Sequence, residues 1–69
     1  MNINEKIGLN IRNFREKQGY TQIDFAEECQ ISRAYYGRIE RGEHSITIET
    51  CEKICKTLGI QIKDLFYNI

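Results

Sequence analysis

Thr21 and Ser32 stand eleven positions apart, and each opens a short run whose apolar residues fall at helical spacing. A hydroxyl just ahead of a helix accepts from a first-turn N–H group that has no partner inside the helix, so both residues read as N-caps. Only Cys29-Gln30-Ile31 separates the two runs. Two short capped helices joined by a break of about three residues form the helix-turn-helix pattern, whose second helix is placed to enter a DNA major groove.

Three further helices fit around this pair, and no segment alternates with a two-residue period for long enough to make a strand. The expected class is therefore all-α, with five helices and with helices 2 and 3 forming the helix-turn-helix. The first spans about Ile3 to Gln18, with Ile7, Ile11 and Phe14 on one apolar stripe and Gly19 as a left-handed stop. Gly8 weakens that helix by about 1 kcal/mol relative to alanine, which is tolerable where a neighbouring backbone packs close.

The second helix spans about Gln22 to Cys29, with Phe25, Ala26 and Cys29 inward and Ile23 exposed or partly buried. Asp24, three residues after Thr21, makes a short-armed capping box. The third spans Arg33 to about Arg41, with Ile39 and Tyr36 inward and the Tyr36 hydroxyl at the rim. Thr47 caps a fourth from Ile48 to Leu58, which Gly59 closes and on which Ile60 packs back.

A last short helix runs from Ile62 to about Phe66. Leu65, Phe66, Tyr67 and Ile69 crowd more apolar surface there than a terminal helix can hide against its own domain, so a second copy of the chain is expected to cover it. The competing reading folds Leu65 and Phe66 back into the monomer core and leaves Tyr67 and Ile69 frayed.

The charge balance speaks against a nucleic-acid partner, because ten basic and ten acidic residues cancel where DNA-binding domains usually carry a basic excess. The distribution restores the reading. Lys6, Arg12, Arg15 and Lys17 load the first helix and Arg33, Arg38 and Arg41 the third, while Asp24, Glu27 and Glu28 sit on the second. One basic face on a neutral molecule still binds phosphate, with weaker long-range steering.

Three cysteines are an odd number and cannot form a closed disulfide framework. Cys51 and Cys55 share a face with Ile48, Ile54 and Leu58 and read as core thiols. A metal site would have to recruit Cys29 and His44, without any metal-ligand spacing to support it. No nucleophile, base and orienting residue form a set, and there is no Walker-type loop, so no enzyme, cofactor or small-molecule ligand is expected. No apolar run approaches the roughly 20 residues of a membrane span, and the first residues lack the zones of a secretory signal. Residues 1–69 are expected to form one domain that stays in the cytoplasm.

On the third helix, Arg33 and Ala34 occupy the first turn, which a docked helix-turn-helix presents to base edges. Arg33 is suited to donate two parallel bonds to guanine O6 and N7, and Ala34 to touch a thymine methyl. A cation at a helix N-terminus opposes the macrodipole, so a merely solvated Arg33 would be badly placed. Gly37 and Arg38 lie one turn further on. Gly37 suits close approach of the backbone to DNA, and Arg38 reaches the groove or its wall unless a neighbouring acid holds it. Tyr35 is placed to set its hydroxyl on a phosphate or a base. Gln22, at the start of the second helix, lies where N–H groups and the dipole make a phosphate seat.

The chain resembles the Cro/cI or XRE-type helix-turn-helix domains of phage repressors and bacterial regulators. The resemblance rests on Ile11-Arg12, Arg15 through Gln22, Phe25-Ala26, Ile31-Ser32, Tyr35, Ile39 through Gly42, Leu58-Gly59-Ile60 and Leu65-Phe66. Within that family the run from Ser32 to Gly42 looks most like the controller proteins of restriction-modification systems. The resemblance implies a compact lambda-repressor-like fold and a homodimer that regulates transcription from an inverted-repeat operator on double-stranded DNA.

It also implies roles for particular residues. Thr21, Gln22, Ser32 and Arg41 would contact phosphates, Arg33, Ala34, Tyr35, Gly37 and Arg38 would read bases, and Arg15 and Glu40 would form a structural ion pair. Two positions depart from the family pattern. Gln30 stands where relatives place Gly or Asn in a left-handed turn, and Glu43 and His44 replace the basic residues that many relatives set against phosphate. The alternative from another class is an antitoxin or similar module that binds a partner protein through its apolar C-terminal segment.

Overall fold

The computed structural model describes residues 1–69 as four α-helices and a terminal 3-10 turn, with no strand. The helices are α1 (Ile3–Lys17), α2 (Gln22–Cys29), α3 (Arg33–Glu40) and α4 (Ile48–Leu58), followed by the 3-10 turn Ile62–Phe66. The expected fifth α-helix is thus a 3-10 turn. It is only five residues long, and it is closed by i→i+3 bonds such as Asp64 N–H to Gln61 O at 2.9 Å. A segment that short gains too few i→i+4 bonds to offset the ordering of its backbone.

Each α-helix begins on a side-chain cap. Asn2 and Glu5 close a reciprocal capping box on α1, and Thr21, Ser32 and Thr47 accept from the N–H of Asp24, Tyr35 and Thr50. All four helix ends share one device, a left-handed residue that lets the next N–H reach back five residues. Tyr20 N–H bonds Arg15 O, Ile31 N–H bonds Ala26 O, Glu43 N–H bonds Arg38 O, and Ile60 N–H bonds Cys55 O. The left-handed residues are Gly19, Gln30, Gly42 and Gly59, with φ of 81°, 59°, 74° and 71°. Gln30 carries a Cβ in that conformation, at a cost of about 1–2 kcal/mol that its glycine counterparts avoid.

The core draws on every helix: Ile7 and Ile11 from α1, Phe25, Ala26 and Cys29 from α2, Tyr36 and Ile39 from α3, and Cys51, Ile54, Cys55 and Leu58 from α4. Phe14 packs on it half-buried, while Ile48 is 68% exposed and lies off the face it was expected to share with the two α4 cysteines. Leu65 is fully buried. Burial therefore removes Leu65 from the expected interface set. Phe66, Tyr67 and Ile69 remain exposed.

Helix α1 packs against both α3 and the 3-10 turn, and α2 packs against α3 and α4. The α1–α3 approach depends on Gly8, because a Cβ there would run into the carbonyl oxygens of Ile39 and Glu40. Two side-chain straps fix the outer elements. Asn10 donates to Leu65 O at 2.9 Å and Tyr67 O at 3.0 Å, and Gln18 donates to Leu58 O at 2.8 Å.

Candidate nucleic-acid interface

The orientation of α2 and α3 is set by one buried polar node. Arg15, on α1, donates from Nε to Glu40 Oε2 at 2.6 Å and from Nη2 to Glu40 Oε1 at 3.2 Å, and its Nη1 bonds Tyr20 O at 2.7 Å. The side chains are only 9% and 3% exposed. Gln22 of α2 donates to the same carboxylate at 3.0 Å, and the Tyr36 hydroxyl donates to its Oε2. Burial pushes the Glu40 carboxyl up, but hydrogen bonds from Arg15, Tyr36 and Gln22 outweigh it, so its pKa falls below the ordinary value. Burial first, and then the Glu40 carboxylate, hold the Tyr36 phenol well above its ordinary value.

Sequence reasoning missed half of this node. The Tyr36 hydroxyl lies in the buried node on Glu40 rather than at the rim, and Gln22, read only as a phosphate residue, is also a strut between α2 and α3. The signal for Tyr36 was its spacing, since Glu40 follows by one helical turn on the same face. For Gln22 there was none, because it meets Glu40 only through the packing of α2 on α3.

Once the node fixes the frame, the α3 surface is defined. Ser32, Arg33, Ala34, Arg38 and Arg41 are exposed and Tyr35 is half-buried, its ring edge-on to the imidazole of His44 at 5.7 Å. Thr21 and Gln22 are exposed at the start of α2. Helix α3 ends one residue short of expectation, and Arg41 is its C-cap.

Two of the three arginines of this segment are engaged with acids. Arg33 Nη2 meets Glu27 Oε1 at 3.0 Å, and Arg41 Nε meets Glu43 Oε2 at 2.7 Å. Arg38, the residue for which an acid partner was considered, makes no ion pair within 4.0 Å. The Arg41 guanidinium lowers the Glu43 carboxyl below its ordinary pKa. Gly37 is buried, and a Cβ placed on it would meet Arg41 Nη1 at 3.1 Å, so its bare backbone makes room for that guanidinium.

Elsewhere the surface offers little chemistry. No three His, Cys, Asp or Glu side chains converge to hold an ion, and no helix is long and apolar enough to cross a membrane. All three cysteines are buried free thiols, and desolvation raises Cys55 to about 11.

Comparison with known proteins agrees with this geometry. The helix-turn-helix model HTH_3 matches residues 11–65. The control protein C.BamHI of Bacillus amyloliquefaciens is 40% identical over 65 residues, which span 93% of this chain and 80% of that one. The crystal structure of the restriction-modification controller C.AhdI from Aeromonas hydrophila superposes with a TM-score of 0.88 at 28% identity, over 91% of this chain and 96% of that one. The biofilm regulator SinR, solved in complex with DNA, superposes with a TM-score of 0.84 at 28% identity, over 87% of this chain and 97% of that one.

Proposed function

The chain belongs to the helix-turn-helix family and is a DNA-binding transcriptional regulator, and from that premise we propose that it works as a homodimeric controller of the restriction-modification type on an inverted-repeat operator in the cytoplasm. The observation that carries this reading is the first turn of α3. Arg33 and Ala34 stand exposed there, behind a tight turn whose frame is locked by a buried ion pair. Base edges would be met by Arg33, Ala34, Tyr35 and Arg38, and phosphates by Thr21, Gln22, Ser32 and Arg41. Gly37 would take part as bare backbone once Arg41 swings toward a phosphate.

A two-fold axis through the C-terminal surface would set two copies of α3 about 34 Å apart, one turn of DNA. Tyr67 is 73% exposed and lines one shallow groove with Met1 and Leu9, themselves exposed apolar residues. An apolar patch of this kind on so small a chain favours self-association.

Selection from a random duplex pool, followed by sedimentation with and without the selected DNA, tests the reading. A dimer on a palindromic site is expected, and a Phe66→Glu, Tyr67→Glu variant that keeps its circular dichroism should be monomeric and bind weakly. A wild type that stays monomeric at high micromolar concentration and binds single half-sites would overturn the homodimer.

A further inference from the structure

Glu27 has no place among the DNA-contacting residues, yet it reaches across the turn to the residue best placed to read a base. It lies in the last turn of α2, and Arg33 is the first residue of α3, six positions later. The left-handed backbone at Gln30 folds the chain so that the two meet. The bond uses one guanidinium nitrogen, Nη2, at 3.0 Å from Glu27 Oε1. Nη1 and Nε have no partner within the chain.

Arginine carries five N–H donors in a rigid fork, so one bond to a carboxylate leaves enough for a bidentate contact with guanine O6 and N7. An unpaired arginine at this position would be poorly placed, because the positive end of the α3 dipole repels it. It would also fix its many rotamers only on binding. We infer that Glu27 is a positioning residue for base reading, holding the Arg33 fork at the mouth of α3 while its remaining donors meet a guanine edge.

Charge makes the effect selective. A phosphate accepts from arginine in many geometries, whereas a guanine edge needs the fork in one plane, so fixing the fork favours the base over the backbone. The Glu27 carboxylate is itself exposed on this face and repels phosphate. Both side chains are more than half exposed, so the pair adds little to folding and its loss leaves the fold intact.

The inference rests on the DNA reading above, and the experiment separates the two. Duplex recovered by selection and its single-base variants are titrated with wild type, Glu27→Ala, Glu27→Gln, Arg33→Ala and the double variant, with Glu52→Gln as a charge control on an exposed α4 residue outside any ion pair. Glu27→Ala should lower discrimination about three- to tenfold at the one base position that Arg33→Ala also abolishes, a fraction of what a bidentate contact supplies. Discrimination at the other positions should be unchanged. Glu27→Gln, which keeps an acceptor oxygen, should restore part of the loss, and in the Arg33→Ala background Glu27→Ala should change no preference at all. An unaltered base profile, or a uniform gain on every duplex that matches Glu52→Gln, would overturn the positioning role while leaving the DNA reading standing. Failure of the wild type to retain any duplex would instead overturn that reading.

Discussion

Arg15–Glu40 and Arg33–Glu27 are the same chemical pair in two environments. The first is almost entirely buried, bonded through two guanidinium nitrogens and shared by Gln22 and Tyr36, and it ties three helices. The second is more than half exposed, bonded through one nitrogen, and joins two neighbouring helix ends. A charge taken out of water cannot be left alone without a penalty of several kcal/mol, so the buried pair acts as an all-or-none fastener. An exposed pair competes with water and adds little to folding, so it can orient its arginine without fastening the fold. One chemistry thus fastens the fold behind the recognition helix and orients a single side chain in front of it.

The largest effect expected of breaking this contrast is on folding. Glu40→Ala strands the Arg15 guanidinium and the Tyr36 hydroxyl, and should cost about 3–5 kcal/mol, read as a lower urea midpoint at unchanged slope. A cycle with Arg15→Ala should show strong coupling. Additive losses would mean that the pair acts only through its separate contacts.

Titration removes part of the same node. Glu40 has a depressed pKa in the folded state, so its contribution is complete above the ordinary carboxylate value of 4.5 and is lost as the pH falls through the folded value. Tyr36 has a raised one, so its contribution is complete below the ordinary phenol value of 10.0 and is lost as the pH rises beyond it. Melting temperature against pH should form a plateau between these limits. The acid shoulder should flatten in Glu40→Gln, and an unchanged shoulder would assign acid sensitivity to other carboxylates.

Gly8→Ala probes the backbone contact that brings α1 close enough for Arg15 to reach Glu40. A methyl driven against the Ile39 and Glu40 carbonyls should cost about 1–3 kcal/mol despite the better helix propensity of alanine. A stabilised Gly8→Ala would show that α1 shifts without loss.

The smallest effect on folding is expected in front. Arg33→Ala should leave thermal stability within about 1 kcal/mol of the wild type, while weakening the selected duplex by about 1–3 kcal/mol. Gln22→Ala sharpens the comparison because that residue stands between the two regions. It should lose stability through Glu40 and affinity for all duplexes alike. An Arg33→Ala protein that melts much earlier would erase the distinction between the two pairs.

Local physics was legible in the chain. The caps at Thr21, Ser32 and Thr47, the left-handed stop at Gly59 and the bounds of α2 and α4 all follow from residue types that satisfy backbone groups within a few positions. The periodicity of Ile7 and Ile11, of Phe25, Ala26 and Cys29, and of Tyr36 and Ile39 marked the core faces for the same reason. It failed at Ile48, where a helix face was continued one turn too far toward solvent, and at Leu65, whose burial depends on α1 and α4 lying beside it.

What the sequence determined by itself is the helix-turn-helix and the residues that stand on its exposed first turn, because both are set by short-range spacing and capping. The resemblance implied the Arg15–Glu40 pair and the one-turn spacing carried the Tyr36 contact, but tertiary structure alone decided that Gln22 converges on Glu40 and that Arg33 and Arg41 face carboxylates while Arg38 does not. These last pairings join residues on different helices or around turns. Their partners are chosen by the angle and distance at which the backbones pack, which in α1 and α3 comes down to the absence of a single Cβ at Gly8.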